Sequence, residues 1–527
     1  MGIQNPQSIQ TATFPLAGRF RSGNIQIPNT LNTEYLFDQL YLPSDSPFEM
    51  RAYYPNMRTY KTVQNFNYAY PGLEWTQPLW AYGANNGCVF ELTDAPAGMS
   101  VGSTMSRDPV TGFYGPDANY GVITWQNPVL GRYRFGVRAT DQKGRTTHWL
   151  FDLRVTTEHH YFMALNATGD GSGTSPTNYA SYANTIIGVN SISPSRNKVL
   201  HIKGDDYPST VGINATTSLL AASWVAMPGE QPTFHQKFNI TSDNISLYGI
   251  KIQGVGTSDF GIVGGYGEVN GLAVWRCVFE DCFKIGTGNN NNSCVAFSRL
   301  DGGYGRHTIF MGDNLFKNCT GLHGYDFYTV KDHVFYRNRL VFTDGTTSNP
   351  NSWIFPKQCA GGGEIMFNYA DVPTVTSTNA GVIELLNSWV LGHPVTFDLI
   401  HRVEYNFIRT GGANICRSNG SANDVGPNAG TNQSVAYIKR NTFIGGSVSS
   451  EYYNYQSSNT TRITAYESNI IINAQGGPSY PPVIAPWAPK TGTNIHGTTI
   501  SGILNASGVP LNTSLYGTTG KEIWRPE

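Results

Sequence analysis

The stretch Glu404-Tyr405-Asn406-Phe407-Ile408 is one copy of a short phrase that recurs along the second half of the chain. In each copy a β-type run meets an asparagine, which the first copy replaces with cysteine, and an apolar pair usually follows. The other copies are Trp275-Arg276-Cys277-Val278-Phe279, Gly312-Asp313-Asn314-Leu315-Phe316, Tyr336-Arg337-Asn338-Arg339-Leu340, Met366-Phe367-Asn368-Tyr369, Lys439-Arg440-Asn441-Thr442-Phe443 and Glu467-Ser468-Asn469-Ile470-Ile471. The steps between these markers are 37, 24, 30, 38, 35 and 28 residues.

These imperfect repeats predict a solenoid. Periods of this length, built from short strands and turn residues without a helical pattern between them, are typical of coils that stack on one another. An asparagine at a corner tolerates left-handed backbone and can bond to its counterpart one rung away. The sequence therefore predicts an all-β chain with a right-handed parallel β-helix.

Composition limits the classes of partner. Of 527 residues only 13% are charged, the formal net charge is −1, and 58 are glycine. This profile fits a turn-rich β protein and gives no electrostatic reason to expect nucleic acid or an anionic membrane as a partner. The seven cysteines are odd in number and thinly spread, which favours small buried hydrophobes over disulfides or a zinc site.

The start of the chain shows no basic region followed by an apolar run, so we predict no signal peptide. No apolar run is long enough to span a bilayer, and we predict no membrane insertion.

Five segments are predicted. Residues 1–30 are polar and irregular, 31–157 contain short β runs between turns, and 158–190 combine a capping strand with a short helix. The β-helix occupies 191–505, and 506–527 form a closing segment or face a trimer axis. In the second segment Tyr133, Phe135, Val137 and Ala139 alternate with polar residues or glycine, as in a half-buried strand. With its Asp108-Pro-Val-Thr-Gly112 turn and Val122-Ile-Thr-Trp125 strand, this segment resembles the Ig-like, cadherin-related β-sandwich modules of bacterial and phage surface proteins.

Counting back from each asparagine assigns the faces of the strands. The third position back is apolar and should point into the coil, so alternation turns the second and fourth positions outward. The fifth position faces inward again, which places His333 and His401 in or near the core as structural histidines.

The outward positions include three residues that could hydrolyse a glycosidic bond. Glu364 and Glu404 fall in adjacent rungs, offset by two residues, so their Cα atoms should lie about 8 Å apart. Carboxyls at that separation suit an acid and a base on either side of a glycosidic bond. Arg402, between them in register, would keep one carboxylate ionised. A salt-bridge ladder on an exposed sheet would use the same three residues.

Further residues are predicted to bind substrate. They are aromatic or basic side chains on the outward face or in the adjacent inserts: Trp275, Tyr336, Tyr437, Lys439, Trp353 and Trp389. Asp326, Asp332 and Glu384 are second-rank candidates. A lyase could instead use Arg402 or Lys439 as the base, but no aspartate cluster is placed to hold calcium against a uronate. We predict no metal and no cofactor.

A polar N-terminus, a β-sandwich spacer, the sequence Leu165-Asn-Ala-Thr-Gly-Asp-Gly-Ser-Gly-Thr174 and asparagine-marked coils together resemble a phage tailspike of the pectate-lyase-like β-helix kind. The resemblance lies in the fold of residues 158–510, and no family catalytic motif carries over. It implies a homotrimer on a virion, attached to other virion proteins through its N-terminus, that binds bacterial surface polysaccharide and often cleaves it.

Three functions stay open at the level of sequence. The first is a depolymerase, with hydrolysis favoured over elimination. The second is a non-catalytic receptor-binding spike or a capsid decoration protein. The third is a secreted bacterial relative of pectate lyase, which the missing signal peptide disfavours.

Overall fold

The computed structural model describes the chain from residue 49 to residue 497 with internal gaps. The described residues are 49–52, 68–82, 88–102, 120–141, 144–182, 198–208, 213–215, 222–240, 245–256, 263–266, 272–283, 293–298, 308–319, 323–328, 332–343, 352–357, 363–375, 382–386, 399–404, 406–412, 415–419, 434–439, 441–446, 448–451, 462–467, 469–472, 490–491 and 495–497. The predicted terminal segments 1–30 and 506–527 therefore lie outside them. Within the described residues the chain is all β, and no helix there could cross a membrane.

Eight strands form a sandwich at the start of the described chain. They are β1 (Glu49–Ala52), β2 (Tyr68–Ala69), β3 (Trp75–Tyr82), β4 (Cys88–Thr93), β5 (Met99–Gly102), β6 (Tyr120–Trp125), β7 (Gly131–Asp141) and β8 (Thr146–Val155). Two four-stranded sheets, ordered β1-β3-β6-β5 and β2-β8-β7-β4, share one apolar core. The alternation predicted for β7 is confirmed, because Phe135, Val137 and Ala139 are buried.

The remaining strands form three parallel sheets, one strand of each sheet per turn of the coil. The first sheet has 13 strands: β9 (His160–Ala164), β10 (Ala180–Ser181), β11 (Lys198–Ile202), β14 (Ala222–Ala226), β17 (Ile245–Tyr248), β20 (Leu272–Trp275), β23 (Thr308–Gly312), β26 (Asp332–Tyr336), β29 (Gly363–Met366), β32 (Leu399–Glu404), β35 (Ser434–Lys439), β38 (Arg462–Glu467) and β40 (Lys490–Thr491). The second has 11: β12 (Asp206–Tyr207), β15 (Thr233–Phe234), β18 (Lys251–Gln253), β21 (Val278–Glu280), β24 (Leu315–Lys317), β27 (Arg339–Val341), β30 (Tyr369–Val372), β33 (Phe407–Thr410), β36 (Thr442–Ile444), β39 (Ile470–Ile472) and β41 (Ile495–Gly497). The third has nine: β13 (Ile213–Ala215), β16 (Phe238–Ile240), β19 (Val263–Tyr266), β22 (Ser293–Ser298), β25 (His323–Tyr328), β28 (Ser352–Lys357), β31 (Ile383–Leu386), β34 (Cys416–Asn419) and β37 (Val448–Glu451). These long parallel sheets agree with the predicted β-helix solenoid.

The predicted inward column forms part of the core. Val274, Met311, Phe335, Ile365 and Val403 occupy matching positions on successive strands of the first sheet and are fully buried in one apolar cluster. His333 and His401 lie two residues earlier on their strands, also buried, with ring centroids 5.4 Å apart. The assignment of faces from the asparagine markers is thus confirmed.

The asparagine markers form a continuous hydrogen-bonded ladder between the first two sheets. Asn406 Nδ2 donates to Asn441 Oδ1 at 3.0 Å and to the Ile365 carbonyl at 2.9 Å. Its Oδ1 accepts from the backbone N–H of Asn368 at 2.9 Å and from Asn368 Nδ2 at 3.0 Å. The same contacts repeat from Asn314 to Asn469, so each buried carboxamide satisfies polar groups on two neighbouring rungs.

The left-handed backbone of the corner lies one residue before the ladder residue. Positive φ angles occur at Arg276 (52°), Asp313 (51°), Arg337 (55°) and Phe367 (56°), each directly before a ladder residue. Asn314, Asn338 and Asn368 themselves do not adopt left-handed backbone, and their carboxamides bond between rungs.

Cys277 takes the place of asparagine at the beginning of the ladder. Its Sγ donates to the Leu247 carbonyl of the preceding rung at 3.6 Å, and its N–H donates to Asn314 Oδ1 at 2.9 Å. Burial raises the pKa of this thiol to about 12. Among the residues whose side chains the structure describes, five cysteines are free and buried, as predicted for small hydrophobes: Cys277, Cys282, Cys294, Cys319 and Cys416.

The predicted capping segment is described in part. Ala180–Ser181 form β10, which pairs in parallel with β9, and the next residue, Tyr182, is helical. Residues 183–197, where the predicted short helix would continue, lie outside the described residues. Further along, Gly249, with φ at 70°, turns the chain between β17 and β18.

Replacing one ladder asparagine should destabilise the coil. Asn406→Ala removes a carboxamide that donates to the Ile365 carbonyl and Asn441 Oδ1 and accepts from the N–H and Nδ2 of Asn368. These buried groups lose a hydrogen-bond partner, so we expect the free energy of unfolding to fall by about 3 kcal/mol. Guanidinium denaturation of the full chain measures this loss. Asn166→Ala is the control, because Asn166 is exposed. Equal stability of the two variants would contradict the structural role of the ladder.

Candidate functional site: the outward face of the first sheet

The outward face of the first sheet can be followed in register from the beginning of the coil. One column contains His160, Val199, Ser223, Ser246, Ala273, Phe310, Val334, Glu364, Arg402 and Tyr437. The other contains Phe162, His201, Val225, Tyr248, Trp275, Gly312, Tyr336, Met366, Glu404 and Lys439. The predicted catalytic residues and several predicted substrate-binding residues therefore share one face.

The predicted register of the three catalytic candidates is confirmed. Glu364 on β29 lies directly opposite Arg402 on β32, while Glu404 pairs with Met366 two residues along. Arg402 Nη2 donates to Glu404 Oε1 at 3.0 Å. Arg402 thus pairs with Glu404 through its guanidinium and occupies the register position opposite Glu364.

All three side chains are buried. Glu364 is 7% exposed, Arg402 5% and Glu404 4%. Their apolar neighbours on the same face, Val334 and Met366, are buried as well. This face is therefore covered instead of open to solvent, and a polymer would reach the carboxylates only if the covering moved. A buried ion pair that is fully compensated also serves a structural role.

The other predicted residues divide between the sheets. Trp275 and Tyr336 lie on the outward face and are buried, and Tyr437 and Lys439 occupy register positions opposite Arg402 and Glu404. Trp353 lies on the third sheet inside the apolar core, 6.1 Å from Phe316 between ring centroids, so packing accounts for it.

The second-rank candidates do not converge on the patch. Asp332 begins β26 of the first sheet, whereas Asp326 and Glu384 belong to β25 and β31 of the third sheet. Trp389 lies outside the described residues. Among the residues described, no cluster of three or more His, Cys, Asp or Glu is arranged to hold a metal ion.

A cavity of about 240 Å³ lies where the sandwich meets the beginning of this same face. Its floor is the outward face of β11, β14, β17 and β20, and its roof is the segment from Tyr68 to Thr76. Thr76 Oγ1 lies 3.3 Å from Tyr248 Oη, a direct contact between the sandwich and the coil. Small-molecule sites commonly occur at such junctions between domains.

Two histidines pair at one end of the cavity. His160 Nδ1 lies 2.9 Å from His201 Nε2, with the rings stacked at a centroid distance of 5.2 Å. Tyr70 of the sandwich packs edge-on against both rings. Burial lowers the pKa of His160 to about 3, helped by the nearby His159, and also lowers the pKa of His201 well below its usual value. Both rings are neutral at physiological pH.

A second group of side chains forms the opposite wall. Arg276 Nη1 donates to Tyr248 Oη at 2.8 Å, and the Tyr248 and Trp275 rings lie 4.6 Å apart. Trp275 Nε1 donates to Asp313 Oδ2 at 3.2 Å, and Asp313 pairs with Arg337 Nε at 2.7 Å. This network fixes the aromatic wall from behind.

Apart from Trp275, the residues of this cavity were not predicted from sequence. The asparagine markers begin at Cys277, so the earlier rungs had no markers by which to assign their faces. The available signal was the apolar outward column itself, since Ala273, Phe310 and Val334 are unusual on a solvated sheet. Such a column indicates a covered face.

No protein-family model matches the chain, and comparison with curated proteins and with solved structures gave no match.

The histidine pair predicts a pH-dependent stability. The folded pKa of His160 lies below the unfolded value of 6.5, so its contribution is complete above that pH and is lost as the pH falls toward 3. In the wild type the free energy of unfolding should therefore decline as the pH falls from 6.5 to 4. We expect His160→Asn to reduce the slope of that decline by about 1.4 kcal/mol per pH unit. Guanidinium denaturation across that range measures it. His148→Asn is the exposed control and should keep the wild-type slope; a wild-type slope in His160→Asn would refute the prediction.

Proposed function

We propose that this protein is a phage receptor-binding spike that binds a bacterial surface polysaccharide along its coil. Three features support binding: an extended parallel solenoid, a sandwich docked at its beginning, and a cavity between them that aromatic side chains line. The proposal includes a right-handed coil, an Ig-like identity for the sandwich, attachment to the virion through residues 1–30, and a homotrimer.

Hydrolysis of the bound polysaccharide is the second candidate function. One observation favours it: the register that brings Glu364, Arg402 and Glu404 together on one face. Glu404, paired with Arg402, would act as the ionised base, and Glu364 as the acid that protonates the leaving oxygen. The burial of all three side chains favours the non-catalytic spike, so binding is proposed first and cleavage second.

Binding is tested with purified host capsule, exopolysaccharide and O-antigen. We expect the full chain to be retained by one of these polymers on an affinity matrix, and to be released by the free polymer. Retention that is equal on all three matrices and on an uncoated matrix would contradict specific recognition. Light scattering on the same preparation should give three times the mass of one chain.

Cleavage is tested on the polymer that binds. Glu364→Gln and Glu404→Gln should each abolish the release of reducing ends and leave retention unchanged, because each removes a titrating carboxyl and keeps its shape. Glu158→Gln, at an exposed site outside the patch, is the matched control and should cleave as the wild type does.

The products separate the reaction types. New reducing ends without the ultraviolet absorbance of an unsaturated uronate indicate hydrolysis, whereas that absorbance indicates elimination. Full activity in both variants would refute the site. No reducing ends from the wild type, with binding intact, would leave the non-catalytic spike as the function.

A further inference from the structure

We propose that the cavity between the sandwich and the coil binds one neutral sugar ring. The site is separate from the Glu364–Arg402–Glu404 patch, several rungs away on the same sheet. The proposed function supplies only the source of the sugar, a residue of the polysaccharide.

The size of the cavity suits a single small ligand. Its volume of about 240 Å³ is close to the lower end of the roughly 300–1,000 Å³ range of small-molecule sites. Its walls belong to two different folding units, and the Thr76–Tyr248 contact holds them together. The cavity is therefore formed only in the docked arrangement.

The walls provide aromatic faces and hydroxyl groups. Tyr70, Tyr248 and Trp275 line the cavity, and Ser223 and Ser246 occupy adjacent register positions on its floor. Aromatic rings pack against the apolar face of a sugar, while short hydroxyl side chains can both donate to and accept from its hydroxyl groups. This combination matches a polyhydroxylated ring better than a purely apolar ligand.

The histidine pair offers one ring nitrogen to a ligand. His201 Nδ1 has no hydrogen-bond partner among the described residues, although this side chain is more than nine-tenths buried. His160 contacts His201 Nε2 through its Nδ1 and also interacts with the backbone of Ala69. The neutral His201 ring carries one N–H, so its Nδ1 either donates or accepts, and a sugar hydroxyl group can satisfy it in both cases.

The charged side chains that line the cavity favour a neutral ligand over an anionic one. They are two carboxylates, Glu74 and Glu230, and one cation, Arg276. Because the carboxylates outnumber the guanidinium, the balance of charge disfavours an anionic sugar.

The experiment measures the binding of free monosaccharides to the full chain. The probes are glucose, galactose, mannose, rhamnose and N-acetylglucosamine, with glucuronate as the charged comparison. Saturation-transfer NMR followed by calorimetry should detect at least one neutral sugar with a Kd on the order of 1 mM, and weaker or no binding of glucuronate.

Variants of the floor locate the site. Ser223→Ala and Ser246→Ala should each weaken binding about fivefold, the equivalent of one hydrogen bond. Ser246→Leu adds volume to the floor and should abolish binding. Ser100→Ala, on the exposed side of the sandwich, is the control and should bind as the wild type does. Thermal melting checks that each variant is folded.

Two results would overturn the inference. One is that none of the neutral sugars binds the wild type, in which case the cavity holds only water. The other is that a sugar binds equally to the wild type and to folded Ser246→Leu, which would place binding elsewhere. If the polymer is retained while no monosaccharide binds, the inference falls and the proposed function stands. If a monosaccharide binds at this floor while no polymer is retained, the proposed function falls and the inference stands.

Discussion

The side-chain ladder of buried asparagines is the interaction on which the coil depends. At each corner the chain leaves one sheet and enters the next, and there the N–H of the asparagine donates to the carboxamide of the next rung instead of to a backbone carbonyl, as Asn338 N–H does to Asn368 Oδ1. Each carboxamide donates to a carbonyl of the preceding rung and bonds to the neighbouring asparagine. Because every member is fully bonded, the polar row can lie against an apolar core without an unsatisfied group.

The ladder also sets the register of the first two sheets. With Asn368 and Asn406 held opposite each other, the strands on either side must align, which places Glu364 opposite Arg402 and Tyr369 against Phe407. A slip of one residue would break the asparagine contacts and turn the inward column outward. The corner therefore positions the outward face as firmly as the core positions the inward one.

The outward face has two parts with different coverings and different chemistry. At the beginning of the coil the sandwich packs against it through Tyr70, Thr76 and the histidine pair, and a cavity is left between them. Further along, the face changes from apolar to charged at Glu364 and is still buried. Charged side chains in such a place must be compensated, and the Arg402–Glu404 pair provides part of that compensation.

The sequence by itself determined the coil and its faces. Repeated asparagines mark rungs because their hydrogen bonds reach only one rung away, and strand alternation then assigns every neighbouring side chain. For this reason the inward column, the two inward histidines and the register of Glu364, Arg402 and Glu404 were all predictable. The tertiary structure alone decided that Glu404 is buried and that His160 meets His201 under the sandwich. The apolar outward column indicates that part of this face is covered, but not which segment covers it, because that depends on how separately folded parts of the chain pack together.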